Sequence, residues 1–224
     1  MANLPRINEL SNILTHPQIK GSFAVGLHGL INPLERKNGE IMSNTGTAKP
    51  FLTDIKTLRE RARKHIEQGA ITEGYKVDLG TAVKILNEAL ATEIVCVLRY
   101  KRHYYMASGL NSEAVAAEFL QHANEEQGHA DEIAARIVQL GGAPDLNPDG
   151  LTSRSHAEYV EGETLIDMIK EDLVAERIAI DSYREMIKYF GTDDSTSRRM
   201  LEGILAMEEE HADDLVSMLG ELGK

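Results

Sequence analysis

Apolar residues recur with helical period in four long stretches of the chain. From about Asp78 to Ala107, residues Leu79, Val83, Leu86, Leu90, Ile94, Val97 and Tyr104 follow one another at spacings of three, four or seven. That spacing lines them along one helical stripe. A second stripe, Val115, Phe119, His122, His129, Ile133 and Ile137, runs through about Glu113 to Leu140. A third holds Leu165, Ile169, Leu173, Ile180 and Ile187 between about Thr164 and Phe190. The fourth, from about Asp194 to Leu219, holds Met200, Ile204, His211, Leu215 and Met218. The breaks between them are "SGLNS", "GGAPDLNPDG" and "GTDD", where Gly and Pro end helices.

Each predicted helix is about 26–30 residues, on the order of 40 Å long. Near-equal lengths and short first and third connections predict an all-α, antiparallel four-helix bundle. The middle connection, roughly Gly141 to Glu163, is long enough to cross over along the bundle and join helices whose near ends lie apart. Residues 1–77 read as an N-terminal extension ahead of a bundle domain over 78–224. Its first fifty residues are punctuated by Pro5, Pro17, Pro33 and Pro50, and "NGEIMSNTGTAKP" reads as loop or disorder. A short helix is predicted from Asp54 to about Gln68, closed by Gly69.

Charge separates the same two parts. Residues 1–77 carry 11 Lys/Arg against 7 Asp/Glu, and residues 78–224 carry 13 against 29, within a total of -12. The acidic body suits cations and repels nucleic acid and anionic membranes. The front segment can touch polyanions such as DNA, although it lacks a dense basic cluster. The single cysteine, Cys96, excludes a disulfide framework or a Cys-rich zinc site and reads as buried and inert. No apolar run reaches membrane-spanning length, and the opening residues lack the apolar core of a secretory signal. A cytoplasmic protein is the expectation.

One phrase occurs twice. "HANEEQGHADEI" contains Glu126 and His129, and "AMEEEHADDLV" contains Glu208 and His211. Residues three apart share a helix face, so each Glu–His pair can reach one metal ion with a hard oxygen and a neutral nitrogen, a mixture that suits Fe, Mn or Zn. The other two helices each carry a Glu with a Tyr seven residues on: Glu93 with Tyr100, and Glu176 with Tyr183. Both glutamates lie inside apolar runs. The interval Glu93–Glu126 is 33 residues and Glu176–Glu208 is 32, so the chain reads as two similar hairpins. Packed about a pseudo-twofold axis, they would put four carboxylates and two imidazoles in one layer. Glu126 and Glu208 would bridge two divalent ions, with Glu93 and His129 completing one and Glu176 and His211 the other. Tyr100, Tyr183 and His122 are candidates for supporting those ligands, with an ordinary core role as the alternative for each. Glu125, Glu209 and Glu210 fall at other angular positions and read as surface or approach-path residues, with an alternative ligand carboxylate among them as the other reading. Asp131 and Asp213 follow each His by two and read as solvent-facing or as part of the ion path. "RYKRHYYMA" reads as a helix-end surface, and His65, His103 and His156 as ordinary helix or loop residues.

With these six residues in place, the chain resembles the ferritin-like superfamily, in its bacterioferritin/Dps-like branch, over about residues 78–220. The resemblance implies a ferritin-like bundle, two Fe ions per chain (or Mn) and ferroxidase chemistry with dioxygen or hydrogen peroxide. It also implies a homo-oligomeric shell of 12 or 24 subunits that stores ferric mineral. Tyr100 falls where bacterioferritins keep a tyrosine beside their di-iron centre. Gln127 stands where they carry a haem-ligating Met, so haem is not expected. Other readings of the same residues are a di-iron or di-manganese oxidase or peroxidase with little storage, and a Dps-like shell protecting DNA.

Overall fold

The structure, a computed structural model, describes residues 53–109 and 112–222. The expectations for residues 1–52 lie outside the described residues. In chain order the elements are α1 (Ile55–Arg61), a 3-10 turn (Ile66–Gln68), α2 (Leu79–Met106), α3 (Ser112–Gln139), α4 (Leu151–Arg154), α5 (Leu165–Phe190) and α6 (Ser195–Leu222). None of these helices is long and apolar enough to cross a membrane.

The ends of the four long helices have local causes. Asp78 caps α2 by accepting from the backbone N–H of Thr81 at 2.8 Å. Thr164 and Asp167 close a reciprocal capping box at the start of α5. Helix α3 stops where Gly141 takes a left-handed φ of 77° and the Gly142 N–H returns to the Ile137 carbonyl at 2.9 Å. A Cβ on Gly142 would meet Val83 at 2.7 Å, so this turn packs directly on α2. The expected helix over 54–68 is instead the seven-residue α1 and the separate 3-10 turn. Helix α1 buries no residue, so no tertiary packing extends it, and the left-handed φ of 50° at His65 opens the separate 3-10 turn.

Side-chain pairings fix the helix directions. Glu93 meets His129 and Tyr100 meets His122, so α2 and α3 are antiparallel. Tyr100 bonds Glu176 and Tyr183 bonds Glu93, so α2 and α5 are antiparallel as well. Arg136 bonds Ser197 while His129 faces Glu208, which sets α3 against α6. Helices α3 and α5 therefore run the same way, and the segment between them must travel the length of the bundle. It does so along α2. Asn87 holds the Ala143 carbonyl and the Asp145 N–H, Thr92 accepts from the His156 N–H, Arg99 donates to the Glu158 carbonyl, and His103 meets the Glu161 carbonyl.

"RYKRHYYMA" is a surface only in part: Lys101, Tyr105 and Met106 are exposed, but three of its residues turn inward. Arg99, Tyr100 and His103 are fully buried. Asp172 of α5 receives Arg99 Nε at 2.8 Å and sits 2.8 Å from His103 Nδ1. Burial of a guanidinium is tolerable here because a carboxylate and a crossover carbonyl satisfy it. At the opposite end, Asp194 begins α6 by accepting from the Ser197 N–H, and Arg136 and Tyr75 converge on its carboxylate. Tyr75 and Val77 pack on the core, so the stretch just ahead of α2 is tied to the bundle.

Two apolar clusters fill the interior. One gathers Leu86, Leu90, Ile133, Ile137, Phe190 and Ile204, and the other Tyr100, Phe119, Ile169 and Leu215. Between them lies a polar layer.

Candidate metal centre

Glu93, Glu126, His129, Glu176, Glu208 and His211 all meet in that layer, and each is at most 7% exposed. Each of the four long helices supplies one carboxylate, and α3 and α6 each add a histidine one turn on. The side chains form two groups whose ligating atoms lie within 4.8 Å of one another: Glu93, Glu126, His129 and Glu208, and Glu126, Glu176, Glu208 and His211. Glu126 and Glu208 belong to both.

His129 Nδ1 stands 3.2 Å from Glu93 Oε2, 3.5 Å from Glu126 Oε2 and 3.2 Å from Glu208 Oε1. His211 Nδ1 stands 3.4 Å from Glu126, 3.7 Å from Glu208 and 3.9 Å from Glu176. The tyrosines pair crosswise: Tyr183 donates to Glu93 Oε1, and Tyr100 donates to Glu176 Oε1. Each thus fixes a carboxylate of the other hairpin. His122 places Nδ1 3.2 Å from the Tyr100 hydroxyl and stacks on His211 with ring centroids 4.0 Å apart.

Four buried carboxylates in one layer draw in positive charge. Burial and the Glu126 carboxylate push Glu93 up to about 8. Burial, Glu126 and Glu208 drive Glu176 well above the usual range. Burial would lower both histidines, but the surrounding carboxylates outweigh it and raise His129 to about 12 and His211 to about 10. Burial and then the neighbouring His211 hold His122 down to about 3. Protons on these groups stand where cations would otherwise sit.

The donor set fits divalent metal. Glu126 Oε1, Glu176 Oε2, both Glu208 oxygens and His211 Nδ1 are buried without a hydrogen-bond partner. Leaving such atoms bare is costly, and two divalent cations would satisfy all of them while cancelling four carboxylate charges.

Glu125, expected on the surface or the approach path or as an alternative carboxylate ligand, is half-buried. Its Oε2 lies 2.9 Å from His211 Nε2, which orients the ring with Nδ1 toward the layer. At the corresponding position of the second copy stands Met207. Glu209 instead pairs with Arg184 at 2.7 Å, Glu210 and Asp213 are exposed, and Asp131 is exposed and accepts from Gln127 at 3.0 Å. Cys96 is buried beside Arg99, and burial pushes its thiol well up. His65 and His156 are exposed.

The family description "Ferritin-like domain" matches residues 83–224. The chain belongs to the ferritin-like family. It is 31% identical over 146 residues to a bacterioferritin of Rhodobacter capsulatus, covering 63% of this chain and 86% of the relative. Among solved structures, it is similar to the bacterioferritin-related protein of Bacteroides fragilis, a dodecameric thioferritin. That match has TM-score 0.64 and 31% identity, covering 66% of this chain and 89% of the other. The Dps protein of Staphylococcus aureus shares the fold at TM-score 0.61 and 23% identity, over 64% of this chain and 98% of the other. In this ferritin-like chain the polar layer sits at mid-bundle, where all four long helices contribute.

Proposed function

We propose that this ferritin-like chain is a ferroxidase and iron-storage protein that oxidises Fe(II) within each subunit. One observation carries the reading: two overlapping groups of four buried ligating side chains that share Glu126 and Glu208 and leave five polar atoms bare. Two ferrous ions are the substrate. Glu126 and Glu208 bridge them, Glu93 and His129 hold one, and Glu176 and His211 hold the other. Each iron gives up one electron. The pair reduces dioxygen to hydrogen peroxide, or hydrogen peroxide to two waters, with two protons taken from solvent. Tyr183 and Tyr100 keep the two outer carboxylates in place, and Glu125 keeps the His211 ring in place. The apolar clusters on either side exclude water and sharpen the electrostatics. Similarity to a bacterioferritin supports iron as the metal. Similarity to a dodecameric relative supports a shell of twelve copies.

The test is aerobic Fe(II) titration followed by absorbance. A fast phase saturating at two Fe(II) per chain is expected in the intact protein. Glu126→Ala removes a bridge shared by both ions and should slow that phase by about 100-fold or more. Unchanged fast kinetics in this variant would overturn the assignment.

A further inference from the structure

Glu118, His122 and Asp214 form a further group whose ligating atoms lie within 4.8 Å of one another, and none of the three is among the six layer residues, although His122 also groups with Glu176 and His211. Glu118 and His122 are one turn apart on α3, and Asp214 comes from α6. His122 is 0% exposed, and its Nε2 has no hydrogen-bond partner. That nitrogen points at Glu118 Oε1, 3.5 Å away, and at Asp214 Oδ2, 3.8 Å away.

The proton position follows from the network. The Tyr100 hydroxyl has one proton, given to Glu176. With that proton on the Glu176 side, the contact between His122 Nδ1 and the hydroxyl, at 3.2 Å, is made by Nδ1–H as the donor. Nε2 then faces two carboxylates with its lone pair unpartnered, and a cation between the three would satisfy all of them. Among the described residues no Lys or Arg forms an ion pair with Glu118 or Asp214. Burial, and after it the neighbouring Asp214 and Glu125 carboxylates, push the Glu118 carboxyl up.

We propose that Glu118, His122 and Asp214 are a third divalent-cation site, at which Fe(II) docks before reaching the two-ion layer. The docking role rests on the ferroxidase reading; the site itself does not. Its placement suits the role. The Glu118 and Asp214 side chains are 32% and 46% exposed, open to solvent. His122 stacks directly on His211, so the site is one ring away from the layer.

Zn(II), which accepts the same nitrogen and oxygen ligands and has no redox chemistry, is the probe. Crystals of the full chain grown with Zn(II) should show an anomalous peak bounded by Glu118, His122 and Asp214. Calorimetry should count three Zn(II) per chain, falling to two in Glu118→Gln/Asp214→Asn. Both substituted side chains are partly exposed, so the bundle tolerates the change. The same double variant should raise KM for Fe(II) on the order of tenfold, with the larger share of the effect in KM rather than kcat. Two Zn(II) in the unaltered chain with no such peak, or three retained in the double variant, overturns the site. An unmoved KM overturns the docking role. Three Zn(II) with no Fe(II) oxidation upholds the site and overturns the ferroxidase reading.

Discussion

At Glu125 a side chain leaves α3 and ends 2.9 Å from His211 Nε2 on α6. The contact holds the Nε2–H toward Glu125 and aims Nδ1 at the layer, where a metal ion would displace its proton. Glu125→Ala should therefore weaken metal binding by about 10- to 100-fold, whereas Glu125→Gln, whose amide oxygen still accepts the Nε2 proton, should retain most of the affinity. Co(II) titration of the two variants checks this, and equal losses would refute a positioning role. The sequence made the six layer residues legible because an i, i+3 pair states a shared face, and the phrase is written twice. It left Glu125 open among surface, approach-path and alternative-carboxylate roles, because angular position on a helix fixes where Cβ points and not how far a long side chain reaches. The tyrosines show the same limit. Spacing placed Tyr100 near Glu93 on one helix, yet its hydroxyl serves Glu176 on another.

Helix boundaries were readable wherever the end is local: Asp78, Thr164 and the Gly141–Gly142 turn each cap an element through neighbouring atoms. The crossover was readable only as a length. Its course depends on Arg99 and His103, which charge and polarity marked as surface, and on the distant Asp172 that makes their burial tolerable. Asp172→Asn would leave the Arg99 guanidinium buried without its counter-charge. Loss of one partner from such a pair costs about 3–5 kcal/mol, read as a lowered urea midpoint relative to the unaltered chain. The opposite end of the bundle predicts a pH effect. Burial raises Asp194, but bonds from Ser197, Tyr75 and Arg136 outweigh it and hold the carboxyl below its ordinary 3.8. A depressed folded value means that Asp194 stabilises the fold above that ordinary value, and that the contribution fades as pH falls through the lower folded one. Stability measured from neutral pH down to about pH 2 should thus fall less steeply below pH 4 in Asp194→Asn than in the unaltered chain. Parallel curves would refute this linkage.

Over the whole molecule, the helix pattern and the uneven charge answer different questions. Four stripes and a long connection state the bundle. The excess of 29 acidic over 13 basic residues in 78–224 states which solutes the surface gathers, because net charge governs steering and not fold. In a shell, that excess would draw Fe(II) toward sites such as Glu118 and Asp214 before any ligand is met. Uptake should then be fast at low ionic strength and fall several-fold as the screening length shrinks from about 30 Å at 0.01 M to about 8 Å at 0.15 M salt. The oxidation step inside the buried layer, measured at saturating Fe(II), should scarcely respond to salt. Particle mass separates storage from turnover. Twelve copies of the 24.8 kDa chain give about 300 kDa, and a store must hold many more than two irons per chain at that size. Ultracentrifugation before and after aerobic loading decides: a shell that gains mass is a store, whereas one that oxidises Fe(II) repeatedly at constant mass uses the same layer as an oxidase and leaves the acidic body as a steering surface alone.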